Sequence, residues 1–124
     1  MRLSRKHDFL IVADEVYHCL CYSGEAPRPF AADAEPGNVI SLGSFSKILA
    51  PGLRLGWIQT NKKIIQRFVT SGLLDSGGGM NPFTSAIVCK VLENGSLDQN
   101  IAKLTTIYRQ RVSIMDAILH QYIP

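Results

Sequence analysis

The chain has 124 residues, of which 46% are hydrophobic and 19% are charged, and its formal net charge is +3. This composition is typical of a globular protein and argues against a disordered one. The Lys and Arg residues are scattered along the chain, which excludes the dense basic stripe of a nucleic-acid-binding face.

The first half of the chain predicts short strands joined by loops. Residues 2–7 are polar and basic and resemble the last turns of a helix. Residues 9–13 (FLIVA) form a continuous apolar run, which is typical of a central parallel strand covered on both faces. Residues 16–22 are ambiguous. Residues 23–37 are rich in Pro, Gly and Ala and predict an irregular connection with at most a brief helical turn.

Two further strands are predicted around the middle of the chain. One covers residues 38–42 and the other covers residues 53–60. Between them lies a loop that contains a single lysine, Lys47, flanked by serines and glycines. Lys47 is therefore expected at a strand end, where α/β folds place their binding sites.

The second half predicts three helices. Asn61 is the expected N-cap of the first, and Asn81 with Pro82 predicts the start of the second. A flexible turn over residues 76–79 separates them, and residues 94–95 end the second helix. The apolar spacing predicts that these helices bury Ile64, Ile65, Phe68, Phe83, Ile87 and Val91.

The last helix is predicted to begin with a capping box formed by Ser96 and Gln99. Its apolar residues recur every three or four positions and predict one stripe that faces a core or a partner. The stripe consists of Leu97, Ile101, Leu104, Tyr108, Val112, Met115, Leu119 and Tyr122. We find no domain boundary inside 1–124, and expect a partial domain, because the chain starts within a helix and the stripe runs to its end.

The cysteine pattern bears on compartment and metal binding. Cys19, Cys21 and Cys89 are odd in number and have no framework spacing, which favours reduced thiols in an intracellular, cytoplasmic protein. Further ligands at metal-site spacing are missing around the C-x-C pair, so no metal site is predicted. Because no apolar run approaches the ~20 residues that span a bilayer, we expect no membrane association.

Six residues with reactive or polar side chains follow the predicted strands. They are Asp14, Tyr17, Ser44, Ser46, Lys47 and Arg54. Each has an ordinary alternative role, such as a helix cap, a turn residue or a solvated surface charge. Together they favour a demanding ligand, and a guanidinium with short hydroxyl donors suits a phosphate group.

Three segments resemble a known family. They read DEVY at 14–17, SFSK at 44–47 and PGLRLGW at 51–57. These segments are similar to the cofactor-binding core of class I/II aminotransferases, the fold-type-I enzymes that use pyridoxal 5′-phosphate. Within that family the chain looks most like the aminoadipate, kynurenine and aromatic aminotransferase branch. The resemblance extends over essentially the whole chain, including GGGMNP at 77–82.

The resemblance implies an α/β fold, here part of the large α/β/α domain of a fold-type-I enzyme. It implies that Lys47 forms a Schiff base with the cofactor and moves the α-proton, and that Asp14 pairs with the ring nitrogen. Tyr17 would bond the phenolic oxygen, and the phosphate ligands would be Ser44, Ser46 and Arg54. The substrates would be an amino acid and a 2-oxo acid, and the intact enzyme would be a homodimer.

The resemblance also implies what a chain of this length lacks. The family's N-terminal part of the large domain and its C-terminal small domain, which carries an arginine for the substrate carboxylate, have no counterpart here. Two alternatives therefore stay open. The chain could be part of another fold-type-I enzyme, such as a lyase or synthase, because Lys47 and Asp14 would serve such an enzyme equally well. It could also be a non-catalytic remnant that pairs with a longer relative.

Overall fold

A computed structural model of the chain describes residues 1–35, 37–77 and 81–123. It contains three strands and six α-helices among these residues, in an α/β arrangement as expected. The strands are β1 (Ile11–Asp14), β2 (Val39–Ser44) and β3 (Gly56–Thr60). The helices are α1 (Arg2–His7), α2 (Phe45–Ile48), α3 (Lys62–Val69), α4 (Gly72–Asp75), α5 (Pro82–Glu93) and α6 (Ser96–Tyr122). Short 3-10 turns cover His18–Leu20, Phe30–Asp33 and Pro51–Leu53.

The three strands form one mixed sheet in the order β1-β2-β3. Strand β2 is parallel to β1, with Ile11 opposite Val39, and antiparallel to β3, with Ile40 opposite Thr60. No α-helix is assigned in the described residues between β1 and β2, as the Pro-rich composition predicted. Because β2 has neighbours on both sides, its Val39 and Ile40 belong to the buried core.

The prediction that the first strand is central and covered on both faces is wrong. Strand β1 lies at the edge of the sheet, and the Val12 side chain is 60% exposed. The apolar run misled because it extends over Phe9 and Leu10, which precede the strand and are themselves exposed. The third strand begins at Gly56 rather than at residue 53, since Pro51–Leu53 forms a 3-10 turn and Arg54 is left-handed.

The predicted helix caps are confirmed at two positions. Asn61 Oδ1 accepts a hydrogen bond from the Ile64 amide at 2.9 Å. Asn81 Oδ1 accepts one from the Thr84 amide at 3.1 Å, and Pro82 occupies the first helical position. The predicted capping box at Ser96 is wrong, because Gly95 is the N-cap residue of α6 with φ of 72°. The backbone amide of Ser96 donates instead to Asn94 Oδ1 at 2.9 Å.

Several predicted core residues are exposed. Ile65 and Phe68 on α3 are exposed, and Ile64 is half-buried. Helix α5 packs through buried Thr84 and Val88 and half-buried Val91. Its Phe83 and Ile87, which we expected to be buried, are exposed. The sequence of α5 offers two overlapping apolar stripes that share Val91, and spacing alone does not distinguish them.

The stripe on α6 is divided between core and surface. Leu97 is buried together with Leu20 and Ile48. Around these three pack Phe45, Leu49, Val91, Ile101, Leu104 and Tyr108. The remaining members are exposed, namely Val112, Met115, Leu119 and Tyr122. The predicted stripe therefore packs against the core of this chain from Leu97 to Tyr108, and its later members do not.

Two sequence-based predictions fall on residues that the structure does not describe in full. The turn predicted over 76–79 and the segment 77–82 of the resemblance include Gly78, Gly79 and Met80, which lie outside the described residues. Within the described ranges, no helix combines the length and the apolar character needed to cross a membrane.

Candidate active site

The predicted site residues gather at one edge of the sheet. Strand β1 ends at Asp14, the parallel strand β2 ends at Ser44, and parallel strands present their carboxyl ends at the same edge. The Glu15 amide continues this pairing by donating to the Leu42 carbonyl at 3.0 Å. The antiparallel strand β3 begins opposite Ser44, which brings the preceding Arg54 to this edge as well.

Lys47 lies on α2, which begins where β2 ends. Ser44 is the N-cap residue, and its Oγ accepts a hydrogen bond from the Ser46 amide at 3.2 Å. The helix has only four residues. It ends at Ile48, where the Leu49 amide donates to the Phe45 carbonyl at 2.8 Å and the Ala50 amide donates to the same carbonyl at 3.0 Å and does not continue the helical pattern. The strand, the cap and the short helix therefore set the position of the lysine backbone.

The Lys47 amine lies over the Tyr17 ring. Its Nζ is 5.4 Å from the ring centroid, within the range of a cation–π interaction. The Tyr17 side chain is 62% exposed and Lys47 is also exposed. The two residues come from segments that follow different strands, so the contact joins the two halves of the site.

Tyr17 borders two adjoining clefts. The larger has a volume of about 760 Å³. It is lined by Ser46 and Lys47 on one side and by residues 104–115 of α6 on the other. The smaller, of about 460 Å³, contains Asp14. Asp14 is exposed in this chain, so water solvates its carboxylate and no cation is required to offset a cost of burial. Asp14 and Lys47 thus line different clefts with Tyr17 common to both, and neither cleft is lined by Ser44 or Arg54.

Arg54 has an unusual backbone. It ends the 3-10 turn with φ of 50° and ψ of 40°, in the left-handed region that non-glycine residues seldom adopt. Its Nη1 donates to the Pro51 carbonyl at 3.4 Å, and the side chain is exposed. The guanidinium therefore keeps most of its donors available for an anion.

Glu15 has a structural role that the sequence analysis missed. Its carboxylate accepts hydrogen bonds from the amides of Phe30 and Ala31, at 2.8 and 3.1 Å, and from Ser41 Oγ at 2.6 Å. Partial burial raises the pKa of Glu15, but these hydrogen bonds outweigh it and hold the pKa below its usual range. The position of Glu15 directly after Asp14 at a strand end could have indicated such a role, but its hydrogen-bond partners lie far away in sequence.

Trp57 is the second residue missed by the sequence analysis. Its indole packs on Phe45, with ring centroids 4.8 Å apart and planes inclined at 53°. A Cβ at Gly43 would collide with this indole, and a Cβ at Gly56 would lie 2.7 Å from the Gly43 carbonyl oxygen. The glycines on either side of the lysine motif therefore allow β2, β3 and the indole to approach closely.

The cysteines are all free, and Cys19 and Cys89 are exposed. Among the residues that the structure describes, no group of three or more His, Cys, Asp and Glu side chains is placed to hold a metal ion.

Comparisons with known proteins agree with this arrangement. Residues 1–122 match the family described as aminotransferase class I and II. The chain is 39% identical over its whole length to aromatic-amino-acid aminotransferase 1 of Thermococcus litoralis, covering 30% of that protein. Its structure resembles the multiple substrate aminotransferase of Thermococcus profundus, with a TM-score of 0.89 and 40% identity over 99% of this chain and 30% of that one.

A second solved structure is similar to the same extent in fold. The kynurenine aminotransferase of Pyrococcus horikoshii, crystallised with PMP, has a TM-score of 0.89 and 32% identity, covering 99% of this chain and 30% of that one. The chain thus spans about 30% of the length of the relatives that it matches.

Proposed function

Because the chain belongs to the class I and II aminotransferase family, we propose that residues 1–124 form part of the large, cofactor-binding domain of an aminotransferase. The complete enzyme transfers an amino group from an amino acid to a 2-oxo acid, with pyridoxal 5′-phosphate as cofactor, as family members do. The proposal rests above all on one observation: the strand ends that bear Asp14 and Lys47 meet at one edge of the sheet, with Tyr17 between them.

The donor set fits the cofactor chemically. A carboxylate such as Asp14 suits a protonated ring nitrogen, and a phenol such as Tyr17 suits the ring oxygen. The hydroxyls of Ser44 and Ser46 and the Arg54 guanidinium suit a phosphate. Lys47 supplies the one amine on α2 and lines the same cleft as Tyr17 and Ser46. The residue types and their common edge therefore match the parts of the cofactor.

Each residue has a distinct task in the proposed reaction. When bound, pyridoxal phosphate supplies an electron-withdrawing ring that stabilises negative charge at the substrate α-carbon. Lys47 Nζ would hold the cofactor at its aldehyde carbon and would be the base that accepts and returns the substrate α-proton. The Asp14 carboxylate keeps the ring nitrogen protonated, and the Tyr17 hydroxyl donates a hydrogen bond to the ring oxygen. Arg54 and the two serines hold the phosphate in place.

The test treats the full chain with pyridoxal phosphate, reduces it with borohydride and locates the modified lysine by peptide mapping. We expect a visible absorbance band from the bound cofactor and a stable adduct on Lys47. Lys47→Ala should lose both. The matched control is Lys90→Ala, since Lys90 is an exposed lysine paired with Glu93 on α5 and should not affect either signal. Labelling of Lys90 to the same extent as Lys47 would refute the proposal.

A second experiment separates an aminotransferase from other enzymes of the same cofactor fold. A longer form of the protein is supplied with an amino acid, and the cofactor spectrum is followed before and after a 2-oxo acid is added. An aminotransferase changes the spectrum in the first step and restores it in the second. A lyase or a non-catalytic binder does not complete this cycle.

The same proposal includes a homodimer for the complete enzyme and an intracellular, cytoplasmic location. Large apolar side chains on the second half of α6 are exposed in this chain, which supports burial against further protein. The three free cysteines support a reducing compartment.

A further inference from the structure

Helix α6 makes a hydrogen bond to each half of the site. Asn100 Nδ2 donates to the Ile48 carbonyl at 2.8 Å, directly after Lys47. Arg109 Nε donates to the Tyr22 carbonyl at 2.8 Å, in the segment that follows Tyr17. These contacts connect residues that are 52 and 87 positions apart in the chain.

The carbonyl that Asn100 contacts has few other partners available. Ile48 is the last residue of the four-residue helix α2, and the last carbonyls of a helix have no partner within it. Ile48 is only 3% exposed, so bulk water is largely excluded from its surroundings. The Asn100 amide therefore provides the hydrogen bond that this end of the lysine-bearing helix requires.

The packing of apolar side chains also connects α6 to both site segments. The core cluster contains one buried residue from each element: Leu20 from the Tyr17 segment, Ile48 from α2 and Leu97 from α6. Within the described part of the chain, no hydrogen bond links residues 16–22 directly to residues 45–50. Beyond the strand ends, the two site segments are therefore connected by the Lys47–Tyr17 contact and by the shared core, and the hydrogen bonds that connect them run through α6.

We propose that α6 sets the spacing between Lys47 and Tyr17, and that Asn100 is the positioning residue that fixes the lysine-bearing helix. Asn100 acts on the carbonyl of Ile48 and touches neither reacting group, so its effect reaches Lys47 through the backbone of α2. Arg109 fixes the segment that follows Tyr17, through its hydrogen bond to the Tyr22 carbonyl. The importance of this spacing for catalysis rests on the proposed function. The spacing itself can be measured whether or not the proposed function is correct.

The experiment measures the Lys47–Tyr17 geometry in the cofactor-free chain. The NMR resonance of the Lys47 ε-methylene group is shifted by the ring current of Tyr17, because the amine lies over that ring. Tyr17→Leu defines the position of this resonance without the ring. We expect Asn100→Leu to move it more than half of the way to that position. Loss of stability alone would leave the native-state resonance in place, so the shift reports positioning.

Matched variants complete the design. Thr106→Val on the same helix removes a hydroxyl that bonds only within α6, to the Ala102 carbonyl at 3.0 Å, and should leave the resonance unchanged. Asn100→Gln retains an amide donor and should give an intermediate shift. If Asn100→Leu fails to fold, Arg109→Leu tests the other contact, and it should move the resonance in the same direction.

The outcomes separate this inference from the proposed function. An unchanged Lys47 resonance in Asn100→Leu and Arg109→Leu overturns it, as does a wild-type resonance that coincides with that of Tyr17→Leu. In a chain that takes up pyridoxal phosphate, Asn100→Leu should also lower the rate of borohydride trapping at Lys47 several-fold. A chain that takes up no cofactor but shows the expected shifts would refute the proposed function and leave the positioning role of α6 intact.

Discussion

The amine of Lys47 lies 5.4 Å from the centroid of the Tyr17 ring, although the two residues follow different strands. The pair joins the two halves of the site without a hydrogen bond. A cation over an exposed aromatic ring contributes about 0.5–1 kcal/mol. The same contact holds the amine beside the cleft that contains Ser46 and residues of α6.

A double-mutant cycle of Tyr17→Leu and Lys47→Met tests this pair. We expect a coupling of about 0.5–1 kcal/mol in the free energy of unfolding, measured in urea, because each substitution alone removes the same contact. Tyr17→Phe retains the ring and should retain most of the coupling. A coupling indistinguishable from zero would mean that the amine does not rest on the ring in solution.

Arg54 should bind the cofactor's phosphate. We expect Arg54→Asn to weaken binding of pyridoxal phosphate by about 1–3 kcal/mol through the loss of charge-assisted hydrogen bonds. Asparagine is the suitable replacement because it tolerates the left-handed backbone with φ of 50° at this position. Titration of the cofactor absorbance gives the affinity.

Pyridoxal, which lacks the phosphate, provides the control for Arg54. Its affinity should be nearly the same in wild type and in Arg54→Asn. Arg28→Ala, which removes an exposed arginine that is paired with Asp33 and is not among the proposed phosphate ligands, should affect neither ligand. An equal loss of affinity for both ligands would show that the substitution at Arg54 disturbs the fold and that Arg54 does not bind the phosphate.

Local patterns predicted helix caps and strand positions better than they predicted which helix faces are buried. The side chains of Asn61 and Asn81 cap helices as expected, since capping depends on residues three positions apart. The strand Val39–Ser44 was likewise evident from a short apolar run bounded by glycine. Lys47 follows the end of this strand as predicted, but it lies on the four-residue helix α2 and not on the expected loop, because Ser44 caps a helical turn there. The burial of Phe83 and Ile87 was predicted wrongly, because which stripe of a helix faces the core depends on its tertiary neighbours.

The contacts that hold the site together are long-range, which is why sequence reasoning did not find them. Glu15 bonds to Ser41, 26 residues away, and Asn100 bonds to the Ile48 carbonyl, 52 residues away. No local period or capping rule connects residues at such separations. The residue types at the site were therefore predictable, whereas the groups that position them required the fold.

Gly43 should not tolerate a side chain. We expect Gly43→Ala to lower the free energy of unfolding by about 1–3 kcal/mol, because its Cβ would occupy the space of the Trp57 indole. Trp57 is the only tryptophan in the chain, so its fluorescence reports the displacement directly. The matched control is Gly52→Ala, which has open space around the added Cβ and should leave the fluorescence unchanged. Equal effects of the two substitutions would contradict this role for Gly43.

Glu15 should make the stability of the chain depend on pH. Its folded-state pKa is lowered from 4.5: burial alone would raise it, but the hydrogen bonds from Ser41, Phe30 and Ala31 outweigh that effect. A depressed carboxyl pKa contributes stability that is fully present above the unfolded-state value and is lost as pH falls through the folded-state value. We therefore expect the contribution of Glu15 to be complete at neutral pH and to disappear in acid.

Glu15→Gln isolates this contribution. The amide of glutamine is neutral and has a single acceptor oxygen, so all three donors lose the carboxylate charge and at least one of them loses its acceptor. We expect a loss of about 1.5–3 kcal/mol at neutral pH. The difference from wild type in the free energy of unfolding should shrink as the pH falls below 4.5. Glu25→Gln, at an exposed position, is the control and should show little difference at any pH. A deficit in Glu15→Gln that stays constant from neutral pH into acid would show that the charge of Glu15 is not what its partners bind.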